Sequence, residues 1–181
     1  LEEGRDVPAS VLHIYDSETN AFTQISSNQS HDLDPTTLDS GEILFSRWNN
    51  GPGNNQVSLH RLNPSGAQSS LVYGHHSGDS GTVGSTVHFT QPREMQDGRI
   101  ISVIRSFNSD SFGGNIVIID KDGFVESDQP IWADQGNTGA GQTPLTDTDI
   151  RTDDQRSPGG QYLAAYPLKD GSGRVLVSWS P

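Results

Sequence analysis

Two adjacent histidines, His75 and His76, lie in a glycine- and serine-rich stretch, and Asp79 follows shortly after them. Imidazole nitrogens can bind a metal ion or the iron of an external haem, and a neighbouring carboxylate can orient the imidazole that binds. Adjacent residues of an extended chain point to opposite sides, so two such histidines rarely share one metal ion. We therefore favour a polar connecting loop here and keep metal binding by His75 or His76 as the alternative.

Asp32 and Asp34 form a second candidate metal site because they flank Leu33. On an extended segment, residues two positions apart face the same side, so the two carboxylates would lie together. Carboxylate oxygens are ligands that calcium prefers, with backbone carbonyls completing the coordination shell. The same residues can also satisfy backbone groups at turns and loop ends, and we favour this capping role over calcium binding.

The segment Asp120-Lys121-Asp122-Gly123 resembles the start of a calcium-binding loop. The pattern then fails, because Phe124 and Val125 stand where further ligands would follow and no flanking helices are predicted. The segment Asn63-Pro64-Ser65-Gly66 occupies the corresponding place 57 residues earlier. We therefore predict a tight turn at both places.

Two arginines follow the most apolar segments of the chain: Arg47, which precedes Trp48, and Arg105. A guanidinium can stack on an aromatic ring or pair with a carboxylate, and the candidates for pairing are Asp34 or an acid of a neighbouring sheet. We predict a structural role for both arginines rather than substrate binding.

The three tryptophans, Trp48, Trp132 and Trp179, would suit a sugar-binding platform if they came together. Their separation in the sequence and the apolar context of Trp48 and Trp179 favour core packing instead. We therefore expect them to be structural.

The sequence shows no arrangement for nucleophilic catalysis. It has no Gly-x-Ser-x-Gly elbow between a strand and a helix, and Ser77 and Ser80 lie in loop-type sequence. The chain has no cysteine, which excludes disulfides, thiolate metal ligands and covalent attachment of a c-type haem within these residues. The segment Asn28-Gln29-Ser30 is a formal glycosylation site that matters only in a eukaryotic secretory pathway.

The formal net charge is −12, which makes nucleic acids and anionic membranes poor partners. We interpret the acidity as a solubility surface, with cation binding by aspartate-rich loops as the alternative. No apolar run approaches the length that spans a membrane. Because residue 1 is Leu1 and no signal segment is evident, we expect a mature protein or an internal fragment.

The elements that must position these residues repeat along the chain. Gly41 and Gly98 each end a turn before an apolar segment, and the pairs Pro35 and Pro92, and Gly66 and Gly123, share the same offset of 57 residues. A fixed offset between turn residues indicates one supersecondary unit used more than once. The 20 glycines, 10 prolines and strand-type segments predict an all-β fold of small antiparallel sheets, a β-propeller.

We predict one incomplete propeller domain of about three blades. Residues 49–55 and 74–85 are expected to be surface loops. Because propellers close with about four to eight blades, we expect the remaining blades to come from residues outside this sequence or from another chain. The predicted parts are the outer half of a blade over residues 1–30, blades over 31–86 and 87–127, a long loop over 128–156, and part of a blade over 157–181.

Seven motifs occur in a fixed order: HDLDP at 31–35, GEILFSRW at 41–48, LHRLNPSG at 59–66, LVYGHHS at 71–77, QPREMQDGR at 91–99, FGG at 112–114 and LVSWSP at 176–181. Together they resemble TolB-like propeller repeats of exported bacterial proteins. The match is closest to the middle propeller domain of hydrazine synthase alpha-subunit-like proteins. In hydrazine synthase the redox chemistry belongs to haems in flanking domains, and the propeller is a structural platform.

The resemblance implies a periplasmic or extracellular protein that assembles with other domains or chains. Our first hypothesis is a non-catalytic propeller segment that acts as a binding or assembly platform. The alternative is the propeller domain of a multihaem redox protein or complex whose chemistry lies in other domains. A third hypothesis, a metal-dependent hydrolase, requires several carboxylates that converge on the ring axis.

Overall fold

The computed structural model describes residues 8–51, 54–108, 113–153 and 155–181. Within these ranges the secondary structure consists of β-strands and two short 3₁₀ turns, without an α-helix, and no helix there is long and apolar enough to cross a membrane. The prediction of an all-β protein is confirmed. The arrangement is consistent with a propeller-like fold, and the described residues form no closed ring. Phe112 of the FGG motif and residues 1–7 of the first predicted unit lie outside the described residues.

In the described ranges, twelve strands form four antiparallel sheets. The N-terminal hairpin consists of β1 (His13–Asp16) and β2 (Ala21–Gln24). The first sheet consists of β3 (Asp32–Thr37), β4 (Ile43–Gly51), β5 (Asn54–Leu62) and β6 (Ser70–Tyr73). The second sheet consists of β7 (Val87–Glu94), β8 (Ile100–Ser106), β9 (Asn115–Ile119) and β10 (Gln142–Pro144). The C-terminal hairpin consists of β11 (Gln161–Pro167) and β12 (Val175–Ser180), and the 3₁₀ turns are Thr82–Gly84 and Trp132–Asp134.

The 57-residue offset of the sequence is the offset between the first and second sheets. Ile43 of β4 pairs with Leu62 of β5, and Ile100 of β8 pairs with Ile119 of β9 at the equivalent place. Both sheets are meanders, in which each strand pairs with the next strand along the chain. The two segments are therefore one structural unit used twice.

The first strand of each sheet carries a β-bulge at the same place. The pairing of β3 with β4 and that of β7 with β8 both shift there, and the bulged residues Asp34 and Gln91 have φ angles of 52° and 50°. Pro35 and Pro92 follow directly. Because proline has no N–H to donate, it cannot continue the ladder, which explains why the pairing shifts at this point.

Alternation along β8 shows how the sheets pack. Ile100 and Ile104 belong to the hydrophobic cluster that the first and second sheets share. Ile101 and Val103 belong to another cluster, which also contains Tyr162 of β11. Successive strand residues face opposite sides of a sheet, so the second sheet buries both faces, one against the first sheet and one against the C-terminal hairpin.

Two stretches that we expected to be loops contain strand. β10 lies within residues 128–156 and forms the fourth strand of the second sheet by pairing with β9. Its three residues, QTP, lack the apolar alternation by which strands are recognised. The hydroxyl of Tyr73 donates to Oε1 of Gln142 at 2.9 Å and ties this strand to the first sheet. Similarly, β4 and β5 extend into residues 49–55, because their pairing continues to Gly51 and Asn54.

Candidate functional site

Asp32 lies on β3 directly opposite Arg47 of β4. Its carboxylate accepts hydrogen bonds from Nε of Arg47 at 2.8 Å, from Nη2 of Arg47 at 3.0 Å and from Nδ2 of Asn28 at 3.1 Å. Asp32 is only 3% exposed, so the bidentate guanidinium balances a charge that burial alone would penalise. Our expectation that Arg47 stacks on an aromatic ring is confirmed, since its guanidinium carbon lies 5.3 Å from the centroid of the Phe45 ring. The expected carboxylate partners, Asp34 or an acid of a neighbouring sheet, are wrong, because Asp32 belongs to the same sheet as Arg47.

Asp34 has a different partner from Asp32. Its Oδ2 accepts a hydrogen bond from the backbone N–H of Gln91 in the second sheet at 3.0 Å. The bulge at Asp34 breaks the two-residue alternation on which the shared calcium site was predicted. Among the residues that the structure describes, no group of three or more His, Cys, Asp or Glu side chains is arranged to hold a metal ion. Calcium binding by Asp32 and Asp34 stays a prediction.

His75 and His76 lie between β6 and the first 3₁₀ turn, and their rings meet edge to face with centroids 4.6 Å apart. Nδ1 of His75 lies 3.1 Å from Nε2 of Gln56. His75 also borders an open cavity of about 560 Å³ whose other lining residues are Ser, Asn, Gln and Gly. Asp79 is exposed. The site offers amide and imidazole groups to a polar ligand, and metal binding by His75 or His76 stays a prediction.

Sequence reasoning missed two partly buried histidines, His60 and His88. Burial lowers the pKa of each to about 4, with the charge of Arg47 adding to the effect at His60 and that of Arg105 at His88. Nε2 of His60 lies 3.2 Å from Oγ of Ser58, which is the distance expected between a serine nucleophile and a histidine base. Ser58 is fully buried, however, so a substrate has no access to the hydroxyl. The 57-residue repeat could have drawn attention to His88, because it occupies the position equivalent to His31.

The bulged strands are linked from one sheet to the next. Asp34 accepts from the backbone N–H of Gln91, and Nε2 of Gln91 in turn donates to the carbonyl oxygen of Leu163 at 3.1 Å. These residues belong to β3, β7 and β11, the first strands of three successive sheets. The acid that we singled out for calcium therefore begins a chain of contacts between sheets.

A charged triad links the same three sheets at the turns that follow these strands. Nζ of Lys169 lies 2.6 Å from Oδ1 of Asp39 and 3.6 Å from Oε2 of Glu94. The backbone N–H of Asp39 donates to the same Oε2 at 2.6 Å. The Asp39 side chain is 70% exposed, and exposed ion pairs contribute little to the free energy of unfolding. We therefore infer that the triad orients the sheets relative to one another. Sequence reasoning missed it, because only the fold brings residues 130 positions apart together.

The tryptophans do not form one cluster of the core. Trp48 is partly buried and stacks on His31, with centroids 5.4 Å apart and an interplanar angle of 14°. Trp132 is 86% exposed and Trp179 is 51% exposed, so the core-packing expectation is wrong for both. Trp179 lies on β12, which pairs only with β11 in the described chain, and Trp132 lies in a 3₁₀ turn.

The C-terminal hairpin has an open apolar face. Leu44, Ile101 and Leu176 are the second residues of β4, β8 and β12, which each follow the first turn of their sheet. Leu44 and Ile101 are fully buried against the next sheet, whereas Leu176 is 64% exposed. Tyr166 of β11, which pairs with Leu176 and shares its face, is 59% exposed. We refer to this outward face of the C-terminal hairpin, with Tyr166 and Leu176, as the open end.

These features define a class of protein in which small antiparallel sheets repeat along the chain and pack face to face. A comparison with solved structures shows which protein the chain resembles. It is similar to hydrazine synthase of Kuenenia stuttgartiensis, with a TM-score of 0.64 and 25% sequence identity. The similarity covers 94% of this chain and 19% of that chain, so this chain spans about a fifth of that length. No family model and no curated protein matches the sequence.

The structural similarity supports the relation to hydrazine synthase that the motifs suggested. The hydrogen bonds and ion pairs described above form a framework of links within and between the sheets.

Proposed function

We propose that this chain is a non-catalytic segment of a β-propeller, similar to TolB-like repeats, that acts as a binding or assembly platform in an exported bacterial protein. The observation that carries the proposal is the open end. Leu176 is 64% exposed at a position where Leu44 and Ile101 are fully buried by the next sheet. An apolar sheet face beside a free strand edge favours association, because both gain from being covered.

The use of the polar side chains supports a platform rather than an enzyme. Asp32 and Arg47 neutralise each other within the first sheet, and Asp34 binds the backbone of the second sheet. Oγ of Ser77 donates to the buried carboxylate of Glu126 at 2.6 Å, which fastens the loop after β6 to the chain after β9. These three carboxylates, Asp32, Asp34 and Glu126, are thus engaged in structural contacts.

The alternative is that the chain is the propeller domain of a multihaem redox protein or complex, and the similarity to hydrazine synthase favours it. The haems would then belong to other domains, because a chain without cysteine has no thiol for covalent haem attachment. A Soret absorption band in the protein purified from its natural source would support this alternative. The control is the isolated 181-residue chain, for which neither hypothesis expects such a band.

Single-cysteine labelling tests the platform, because the natural chain has no cysteine that would react. We expect Leu176→Cys to react with a maleimide in the dilute purified chain and to be protected in a lysate of the natural host. The matched control Trp132→Cys should react in both samples, and Ile101→Cys should react in neither. Equal reaction of Leu176→Cys in both samples would show that nothing covers the open end and would contradict the platform.

We also propose a periplasmic or extracellular location, on the strength of the resemblance to exported propeller proteins. Fractionation of the natural host tests it. Recovery of the protein with periplasmic or secreted markers is the expected result, and recovery with cytoplasmic markers contradicts the proposal.

A further inference from the structure

We propose that this chain binds a small oxyanion, a carboxylate or a phosphate, in a cavity where the first strands of three successive sheets meet. The cavity has a volume of about 190 Å³, several times the roughly 30 Å³ that one water occupies in the liquid. Its lining residues come from β3, β7, β11 and the turn after β11: Thr36, Thr37, Arg93, Glu94, Tyr166, Pro167 and Lys169. Binding of this ligand does not depend on the proposed platform.

Equivalent positions of the repeated sheets line the cavity. Leu38, Met95 and Leu168 correspond to one another, since each donates its backbone N–H across the first turn of its sheet. The lining residues of the three strands are the two that directly precede each of these: residues 36–37, 93–94 and 166–167. The fold therefore brings the same pair of positions together three times, and the side chains at these positions decide what the cavity can bind.

Arg93 of the second sheet supplies the main anion-binding group. Its Nη1 donates to the backbone carbonyl of Pro92 at 2.7 Å, and no carboxylate among the described residues pairs with it. A guanidinium has five N–H donors, so most of them remain for a ligand. Its planar fork matches two oxygens of a carboxylate or a phosphate.

Lys169 adds a second positive charge on the side of the cavity that Arg93 faces. Arg93 lies opposite Ile101, which packs towards the C-terminal hairpin, and residues that lie opposite each other share a face of the sheet. Nζ of Lys169 lies 2.6 Å from Oδ1 of Asp39 and 3.6 Å from Oε2 of Glu94. Because an ammonium has three N–H donors, Lys169 keeps at least one for a ligand.

The charge balance of the lining favours an anion over a cation. Glu94 is the one acid among the lining residues, and its Oε2 already accepts the backbone N–H of Asp39 at 2.6 Å. Arg93 and Lys169 therefore leave one net positive charge in a chain whose formal net charge is −12. Thr36 adds a hydroxyl that can donate to a ligand oxygen.

An NMR titration of the purified 181-residue chain at low ionic strength tests this site. The probes are acetate and inorganic phosphate, with chloride at the same ionic strength as the reference. We expect saturable chemical-shift changes centred on the backbone amides of residues 36–37 and 93–94. A response to acetate alone identifies a carboxylate as the ligand group, a response to phosphate alone identifies a phosphate, and a response to both identifies the oxyanion that they share. Absence of saturable changes with either probe overturns the proposal.

Matched substitutions distinguish this site from ion binding elsewhere on the chain. Arg93→Gln should weaken binding at least about tenfold, because it removes a charge-assisted, two-point contact. The control Arg61→Gln makes the same change of charge on β5, outside the lining, and should leave binding unchanged. Thr36→Val keeps the test valid if Arg93→Gln does not fold, and the loss of one hydrogen bond should weaken binding about threefold. Binding that Arg93→Gln and Thr36→Val both retain, or that Arg61→Gln loses as fully, overturns the proposal.

Discussion

The ion pair of Asp32 and Arg47 occupies a position that other sheets fill with apolar side chains. The equivalent cross-strand pair is Phe89 and Ile104 in the second sheet, and Tyr162 and Trp179 in the C-terminal hairpin. The two side chains of this cross-strand pair must complement each other. In β3 and β4 opposite charges provide that complementarity, whereas in the other sheets apolar or aromatic side chains do so. The pair is a structural feature of the first sheet.

Removal of one partner of this pair should cost more than replacement of both. We expect Arg47→Ile to lower the free energy of unfolding by about 3 kcal/mol, because it leaves the Asp32 carboxylate buried without its counter-ion. The double variant Asp32→Phe with Arg47→Ile, which copies the second sheet, should recover most of that loss. Urea denaturation measures both, and a single variant as stable as the natural chain would contradict the assignment.

The two partly buried histidines make stability depend on pH. His60 and His88 have a pKa of about 4 in the folded chain, against about 6.5 when unfolded, so the unfolded chain binds more protons between these values. Their contribution is therefore complete above pH 6.5 and is lost as pH falls through 4. We expect a decrease of about 1 kcal/mol per histidine between pH 7 and pH 5, allowing for solvent screening.

Denaturation at several pH values checks this histidine effect. The variant His88→Leu should lose part of the pH dependence, whereas the control His13→Leu, at an exposed position on β1, should retain all of it. A slope that is unchanged in His88→Leu would show that His88 does not titrate in this range.

At the residue scale, sequence reasoning selected Asp32, Asp34 and Arg47 but did not predict their hydrogen-bond partners. The partner of Asp32 depends on the register of β3 against β4, which joins residues 15 positions apart. The partner of Asp34 depends on a bulge and on the packing of a second sheet. Neither is encoded in local spacing.

At the element scale, the bulged strands form the connection between successive sheets. Asp34→Ala should lower stability by about 1 kcal/mol, because the part-buried N–H of Gln91 loses its acceptor. Asp34→Asn should be close to neutral, since asparagine keeps an acceptor oxygen and tolerates the positive φ. Thermal unfolding of the three proteins measures the difference.

Calcium binding by Asp34 predicts a different result for the same two variants. If the Asp34 carboxylate binds calcium, the Tm of the natural chain rises with calcium and falls with a chelator, and Asp34→Asn loses this response as fully as Asp34→Ala. We favour the capping role and expect a Tm that calcium does not change. A calcium-dependent rise that both variants abolish would contradict that role.

The repeated sheets could be predicted from sequence because glycine and proline mark their turns and bulges at one fixed offset. β10 could not, because a polar three-residue strand becomes a strand only by pairing with β9. The exposure of Trp179 could not be predicted either, since β12 has the sequence of a buried strand but is an edge strand that pairs only with β11 in the described chain.

At the scale of the whole molecule, the chain is a stack of sheets in which each sheet covers the one before it. The second sheet is buried on both faces, whereas the C-terminal hairpin is covered on one face and leaves Leu176 exposed on the other. This asymmetry is the feature on which the proposed assembly platform rests.

Amide hydrogen exchange of the purified chain tests this account most directly, by comparison of β8 with β12. The account predicts slow exchange throughout β8, because it is a central strand buried on both faces. It predicts fast exchange of the outward amides of β12, which pairs only with β11 in the described chain. Protection of β12 equal to that of β8 in a dilute monomer would contradict the open end on which the proposed function rests.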